Sequence, residues 1–168
     1  MRTGIALGSN LGDRLAQLRD AAQALKQIPG VSEFLRCSKI YETDPVDSDP
    51  DAPRYLNAVV EIDFEGLAMD LLDHLQALEA QFGRPSKRPR NAPRTLDLDI
   101  LYLGNLVLSN EVIVIPHPRL HLRRFVLQPL CDVAPDLLLP GLPAPPAQLL
   151  HSLKDPSGVR LFAENWLP

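Results

Sequence analysis

The sequence predicts an α+β domain with a ferredoxin-like β-α-β-β-α-β order: an antiparallel sheet, helices on one face, and C-terminal additions. Short apolar runs alternate with two stretches of helical periodicity, and one ten-residue run from Tyr55 to Phe64 alternates well. With 168 residues, 45% of them hydrophobic, and no internal repeat, residues 1–168 read as a single domain.

Thr3 to Leu7 is a short apolar strand, and Gly8-Ser9-Asn10-Leu11-Gly12-Asp13 turns the chain into a helix. Asn10 is the expected N-cap, with Asp13 three residues on in a capping-box arrangement. Leu11, Leu15, Leu18, Ala22 and Leu25 then recur every three or four residues, one apolar stripe on a helix that stops near Pro29-Gly30. Residues 32–41 read as a second strand. Residues 44–54 carry Pro45, Pro50 and Pro53 among four aspartates and form a polar loop, long enough to suggest either a binding loop or an insertion.

In the Tyr55–Phe64 strand, Leu56, Ala58, Val60, Ile62 and Phe64 share one face, while Tyr55, Asn57, Val59, Glu61 and Asp63 share the other. Leu71, Leu75, Leu78 and Phe82 mark a second helix, closed by Gly83. Gln76 and Glu79 lie together on its flank and read as solvent-facing. A strand over 96–103 follows, then a Gly104-Asn105 turn into 106–108. Phe125 to Val133 is a short helix, residues 140–146 are a proline-rich connector, and Trp166 is a packing residue. With helices on one face of the sheet, the other face is expected to stay available for ligands.

Composition excludes several classes. The net charge is −4, and no basic stripe extends beyond residues 84–94, which argues against a general nucleic-acid binder. Cys37 and Cys131 support neither a disulfide framework nor a CxxC metal site. No apolar run is long enough for a membrane span, and no signal-like segment opens the chain. The expectation is a soluble, cytoplasmic monomer acting on small molecules, with no nucleic-acid or membrane partner.

The most informative segment is Arg94-Thr95-Leu96-Asp97-Leu98-Asp99-Ile100-Leu101. Side chains alternate along a strand, so Asp97 and Asp99 point the same way, with Cα atoms about 6.6 Å apart. Both carboxylates can then reach one hard cation or a close pair. Leu98 and Ile100 point into a core. Two carboxylates on a mostly apolar strand are costly to bury without a positive partner, and the expected partner is Mg²⁺. Just before them come Arg84, Lys87, Arg88, Arg90 and Arg94, broken by Pro85, Pro89 and Pro93. Acid, metal and guanidinium together suggest phosphate chemistry.

Other motifs fail. Gly8-Ser9-Asn10-Leu11-Gly12 has neither P-loop nor GxGxxG spacing, and His117 and His121 flank Pro118 rather than sharing a helix face. Neither a GxSxG elbow nor a Cys-centred nucleophile signature occurs, so covalent catalysis has no candidate.

Several segments together resemble one family. Ala6-Leu7-Gly8-Ser9-Asn10-Leu11-Gly12-Asp13, Tyr41-Glu42-Thr43, Tyr55-Leu56-Asn57-Ala58, Gly83-Arg84, Pro93-Arg94-Thr95-Leu96-Asp97-Leu98-Asp99-Ile100-Leu101 and Ile115-Pro116-His117-Pro118-Arg119-Leu120 occur in the order and spacing of the 6-hydroxymethyl-7,8-dihydropterin pyrophosphokinases of folate synthesis. The resemblance runs from about residue 4 to about residue 137. It implies transfer of the terminal two phosphates of ATP to the hydroxymethyl oxygen of a reduced pterin, with AMP leaving and two Mg²⁺ ions required. The family's metal ligands fall on Asp97 and Asp99. Arg84 and Arg94 match catalytic phosphate-binding positions, Gln76, Glu79 and Ile100 the nucleotide site, and His117 and Arg123 the triphosphate. Thr43, Asp44, Pro45, Val46, Tyr55, Asn57 and Phe125, with Asp97, match the pterin pocket. Departures are Asn91 and Ala92 in the basic loop, Pro118 after the histidine, and Leu122 at a commonly polar position.

Two other classes fit parts of the pattern. A non-catalytic ligand-binding module could use the same fold but has no need of the carboxylate pair. A metal-dependent phosphohydrolase would share the acids but not a flat pocket built from Tyr55, Asn57 and Phe125. Asn57 also reads as a satisfied strand polar group, and Phe125 as core.

Overall fold

Residues 55–64 form the organising strand, because their alternation gives one face Leu56, Ala58, Val60, Ile62 and Phe64, and the break in it at Val59 gives the other face an apolar contact. A computed structural model describes residues 1–44, 53–83 and 95–167. Within them run β1 (Arg2–Ser9), α1 (Arg14–Leu25), β2 (Val31–Cys37), β3 (Ile40–Thr43), β4 (Tyr55–Phe64), α2 (Ala68–Gln81), β5 (Asp97–Leu103), β6 (Leu108–Ser109) and β7 (Val114–Ile115). A 3-10 turn (Leu120–Leu122), α3 (Arg124–Val133), α4 (Pro146–Ser152) and β8 (Val159–Ala163) complete them. The sheet order is β5-β1-β4-β3-β8, with β2 also on β4, and every pairing is antiparallel. The fold is therefore mixed α+β on an antiparallel sheet.

Two apolar layers sandwich this sheet. Leu18, Ala22 and Leu25 of α1 and Leu71 and Leu75 of α2 pack on Ile5, Leu7, Leu56, Ala58, Val60 and Ile62. Opposite them, Val126, Leu127, Leu130 and Val133 of α3, with Leu149 of α4, pack on Val59 and Leu101. The second layer corrects the expectation of a face left open: the apolar stripe of α3 covers the half of that face where β4 and β5 offer Val59 and Leu101.

Local chemistry moves three other boundaries. The first helix starts later than its leucine spacing suggests, because Asp13 rather than Asn10 caps it, accepting the Ala16 amide at 3.0 Å. Asn10 is buried and donates to the Pro53 carbonyl at 3.3 Å. The strand expected over 32–41 is two strands, broken at Ser38. There the hydroxyl accepts the Val59 amide at 2.8 Å, while the Ser38 amide donates to the Val59 carbonyl at 2.8 Å. The Ser38 carbonyl thereby turns away from β4 and accepts Nε1 of the buried Trp166 at 2.7 Å. Residues 108–109 do not extend the sheet but pair with β7 in a small hairpin. Finally, β8 was not anticipated; it adds an edge strand to β3.

Candidate active site

In an antiparallel sheet, directly opposed residues point to the same face, so the register decides which side chains meet. One row across the sheet is Asp97–Gly8–Asn57–Tyr41; the next is Asp99–Ala6–Val59; Tyr55 pairs with Thr43 on the far side. Asp97, Asp99, Asn57, Tyr55 and Thr43 therefore share the α3 face. Leu98 and Ile100 go to the opposite core. Asp97 and Asn57 sit two strand spacings apart, about 10 Å between backbones.

Gly8 lies between them. A Cβ there would stand 3.3 Å from Asn57 Oδ1 and 3.9 Å from Asp97 Cβ, so the missing side chain leaves a low floor from amide to carboxylate. Asn57 is buried and donates Nδ2 to Thr43 Oγ1 at 2.6 Å, which fixes the plane of its amide. Asp97 and Asp99 are half-buried. Among the described residues no group of three or more His, Cys, Asp and Glu side chains comes together as a metal site. Two carboxylates with no third such ligand among the described residues are a donor set that suits a hard cation such as Mg²⁺, which usually keeps phosphate and water oxygens.

α2 contributes from the other side. Gln76 is exposed as read from the helix pattern, but Glu79 is not: it is buried, and its Oε1 accepts the Leu98 amide at 2.8 Å. The structure thus separates a pair that spacing had put on one flank. Glu79 clamps the strand at the residue between the two aspartates.

Because β5 is the sheet's edge, a cavity of about 250 Å³ opens beside it, between Leu72, Leu98, Asp99 and Ile100 and the β6–β7 hairpin, with His117 at its wall. The His117 amide donates to the Leu101 carbonyl at 2.9 Å, and its Nδ1 accepts the Arg119 amide at 3.2 Å. Burial, helped by the nearby charges of Arg123 and Arg119 and opposed by Asp97, lowers its pKa from 6.5 to about 4. The imidazole is therefore neutral at pH 7, and with Nδ1 accepting, the proton belongs on Nε2.

Arg123 and Phe125 arrive from the start of α3. The Arg123 guanidinium lies over the Phe125 ring, 5.3 Å from its centroid, and Phe125 packs against the layer that includes Val59. Asp44 is held at the end of β3 by Arg54, at 3.1 Å, and by Arg160, at 3.4 Å. Arg84, Arg94, Pro45 and Val46 lie outside the described residues. The sequence pattern ends the first strand at Leu7 and puts Gly8 in the following turn; β1 runs on to Ser9, so Gly8 is a glycine inside a strand, a signal of close approach.

Residues 4–135 match the family model of 7,8-dihydro-6-hydroxymethylpterin-pyrophosphokinase. The chain belongs to this family. Over 161 residues it is 43% identical to the 2-amino-4-hydroxy-6-hydroxymethyldihydropteridine pyrophosphokinase of Haemophilus influenzae, covering 96% of this chain and 92% of that one. The enzyme of the same name from Pseudomonas aeruginosa is 42% identical over 139 residues, 83% of this chain and 84% of that one. Among solved structures, HPPK-DHPS in complex with substrates is similar in fold, with a TM-score of 0.71 at 12% identity over 90% of this chain. At that identity the likeness bears on fold alone, and this pyrophosphokinase chain spans 43% of that solved chain. Among the described residues no helix is long and apolar enough to cross a membrane.

Proposed function

We propose that this pyrophosphokinase of folate synthesis binds the dihydropterin over Asn57 and the phosphates of ATP at Asp97 and Asp99 on the α3 face, with the nucleoside in the cavity beside the β5 edge. The reaction moves the terminal two phosphates of ATP to the hydroxymethyl oxygen of 6-hydroxymethyl-7,8-dihydropterin and releases AMP. The row Asp97–Gly8–Asn57 carries this reading, since it sets a carboxylate and a planar amide on one face with only a glycine between them. The strand order around β1 and β4, with α1 and α2 on one layer, also supports a ferredoxin-like core.

Magnesium fits the residues present: two hard, same-face carboxylates over the small residues Gly8 and Ala6. Asp97 and Asp99 would hold it, as two ions in this reading, to supply charge neutralisation at phosphate oxygens. The protein's own work is then positioning, because phosphoryl-type transfer asks for little covalent chemistry. His117 offers a neutral Nε2–H donor to a phosphate oxygen, and Arg123 supplies charge beside it. From outside the described residues, Arg84 and Arg94 are assigned to spreading transition-state charge. Ile100 and Leu72 furnish apolar walls for the nucleoside. On the pterin side Asn57 presents donor and acceptor to the heterocycle's edge, Phe125 and Tyr55 offer ring faces, and Thr43 holds the amide in plane.

Incubation with Mg-ATP and the hydroxymethyl dihydropterin tests the assignment. AMP should appear in step with the pterin pyrophosphate; ADP or free phosphate as the main product would refute it.

A further inference from the structure

The C-terminal segment lies beyond the residues matched to the family, 4–135, yet it touches both walls of the proposed site. At one end, Asp155 accepts the Arg124 amide through Oδ2 at 2.9 Å and the Ser157 amide through Oδ1 at 2.8 Å. Arg124 answers with its side chain, donating Nε to the Asp155 carbonyl at 3.2 Å and Nη2 to the Leu153 carbonyl at 3.1 Å. α3 has no side-chain cap of its own, so an otherwise unsatisfied helix amide is met from 31 residues downstream. Arg124 stands between Arg123 and Phe125. At the other end, the Gly158 carbonyl accepts the Asp44 amide at 3.2 Å, Arg160 pairs with the Asp44 carboxylate at 3.4 Å, and Val159 pairs with Thr43 in the sheet. A Cβ at Gly158 would overlap Asp44 Oδ2, so the chain entering β8 runs close against that residue.

We infer that Asp155 is a positioning residue for the transfer reaction: through the Arg124 amide it sets where Arg123 and Phe125 stand relative to Asn57 and Thr43. The segment Leu153–Arg160 is then a strap joining the start of α3 to the end of β3. This rests on the assignment of Arg123 to ATP and Phe125 to the dihydropterin.

The test compares Asp155→Ala, Asp155→Asn and Arg124→Met with the parent enzyme, with KM for each substrate and kcat measured well below the thermal midpoint of each variant. Losing one charge-assisted bond at the helix start should raise the dihydropterin KM about tenfold and the ATP KM by a smaller factor, with kcat changed less than about threefold. Asn keeps an acceptor for the amide and should restore both constants to within about twofold. Arg124→Met keeps the amide but cuts the contacts to the Leu153 and Asp155 carbonyls, and should repeat the KM increase in milder form. Unchanged KM values in Asp155→Ala and Arg124→Met, or a loss that disappears after correction for folded fraction, would overturn the inference. Phe125→Ala and Arg123→Ala separate the two levels. If they too leave both KM values at parental level, the substrate assignment itself falls; if they raise KM while the strap variants do not, only the strap falls.

Discussion

Replacing Glu79 by alanine should destabilise the protein by about 2–3 kcal/mol, through a single buried amide. Glu79 is 3% exposed and accepts the amide of Leu98, itself 5% exposed, at 2.8 Å. Without the carboxylate that N–H has no acceptor at its position, and a buried unsatisfied donor costs about 1–3 kcal/mol. The lost side chain also leaves a void beneath β5, adding a cavity cost on the order of 1 kcal/mol, partly offset because no carboxylate then has to be desolvated. In a domain of this length the sum lowers the thermal midpoint by roughly 5–10 °C.

Equilibrium urea unfolding can follow this through Trp166, the sole tryptophan, which is 1% exposed. Glu79→Gln is the decisive control, since its amide oxygen can accept the same bond and should hold the loss under about 1 kcal/mol. An alanine variant within about 0.5 kcal/mol of the parent would refute the reasoning, as would a glutamine variant as unstable as the alanine one.

Asp97→Ala and Asp99→Ala should each cut turnover by about a thousandfold or more while leaving the unfolding midpoint near the parent's; rates within tenfold in steady-state assays would contradict the proposal that they hold metal. Gly8→Ala places a Cβ 3.3 Å from Asn57 Oδ1, so dihydropterin KM should rise several-fold with ATP KM little changed, as separate titrations of the two substrates would show. For His117 the folded pKa of about 4 lies below the ordinary 6.5, so the unfolded chain takes the proton first as pH falls. Its contribution is complete above pH 6.5 and is lost between 6.5 and 4. In metal- and nucleotide-free protein, His117→Gln should therefore remove about 1–2 kcal/mol of the stability difference between pH 7 and pH 5, allowing for partial exposure. An imidazole titrating near 6.5 by NMR would rule this out.

What could be read from the sequence was whatever depends on period. The two faces of β4 and the shared orientation of Asp97 and Asp99 follow from a two-residue repeat, and the register of the sheet keeps both. Period is silent about which polar group a buried amide recruits. Glu79 sits one helical turn after Leu75, at a spacing equally suited to a flank and to a core edge; only the docking of α2 beside Leu98 makes it an interior acceptor. Ser38 likewise looks like any strand serine until its hydroxyl replaces a backbone carbonyl opposite Val59. The same limit hid β8 and Asp155, whose partners are Thr43 and Arg124 in distant parts of the chain.

The division of the α3 face explains why the proposed site lies where it does. Along β4 the side chains on that face run Tyr55, Asn57, Val59, Glu61, and the helix can seal only the apolar one, Val59. It seals Val59 together with Leu101 on β5, while buried Glu61 is met by Arg2. Where the rows turn polar, at Asn57 and Asp97, an apolar helix face would cover a carboxylate and an amide with side chains that cannot hydrogen-bond to them. The apolar cover that α3 provides ends there among the described residues, and a helix start brings its flanking residues, Arg123 and Phe125, to that boundary. A cation and a ring delivered at the rim of a polar floor need no dedicated domain, only a helix whose first residue is held in register. Asp155 performs that holding, and for this reason the C-terminal segment belongs to the working parts of the enzyme.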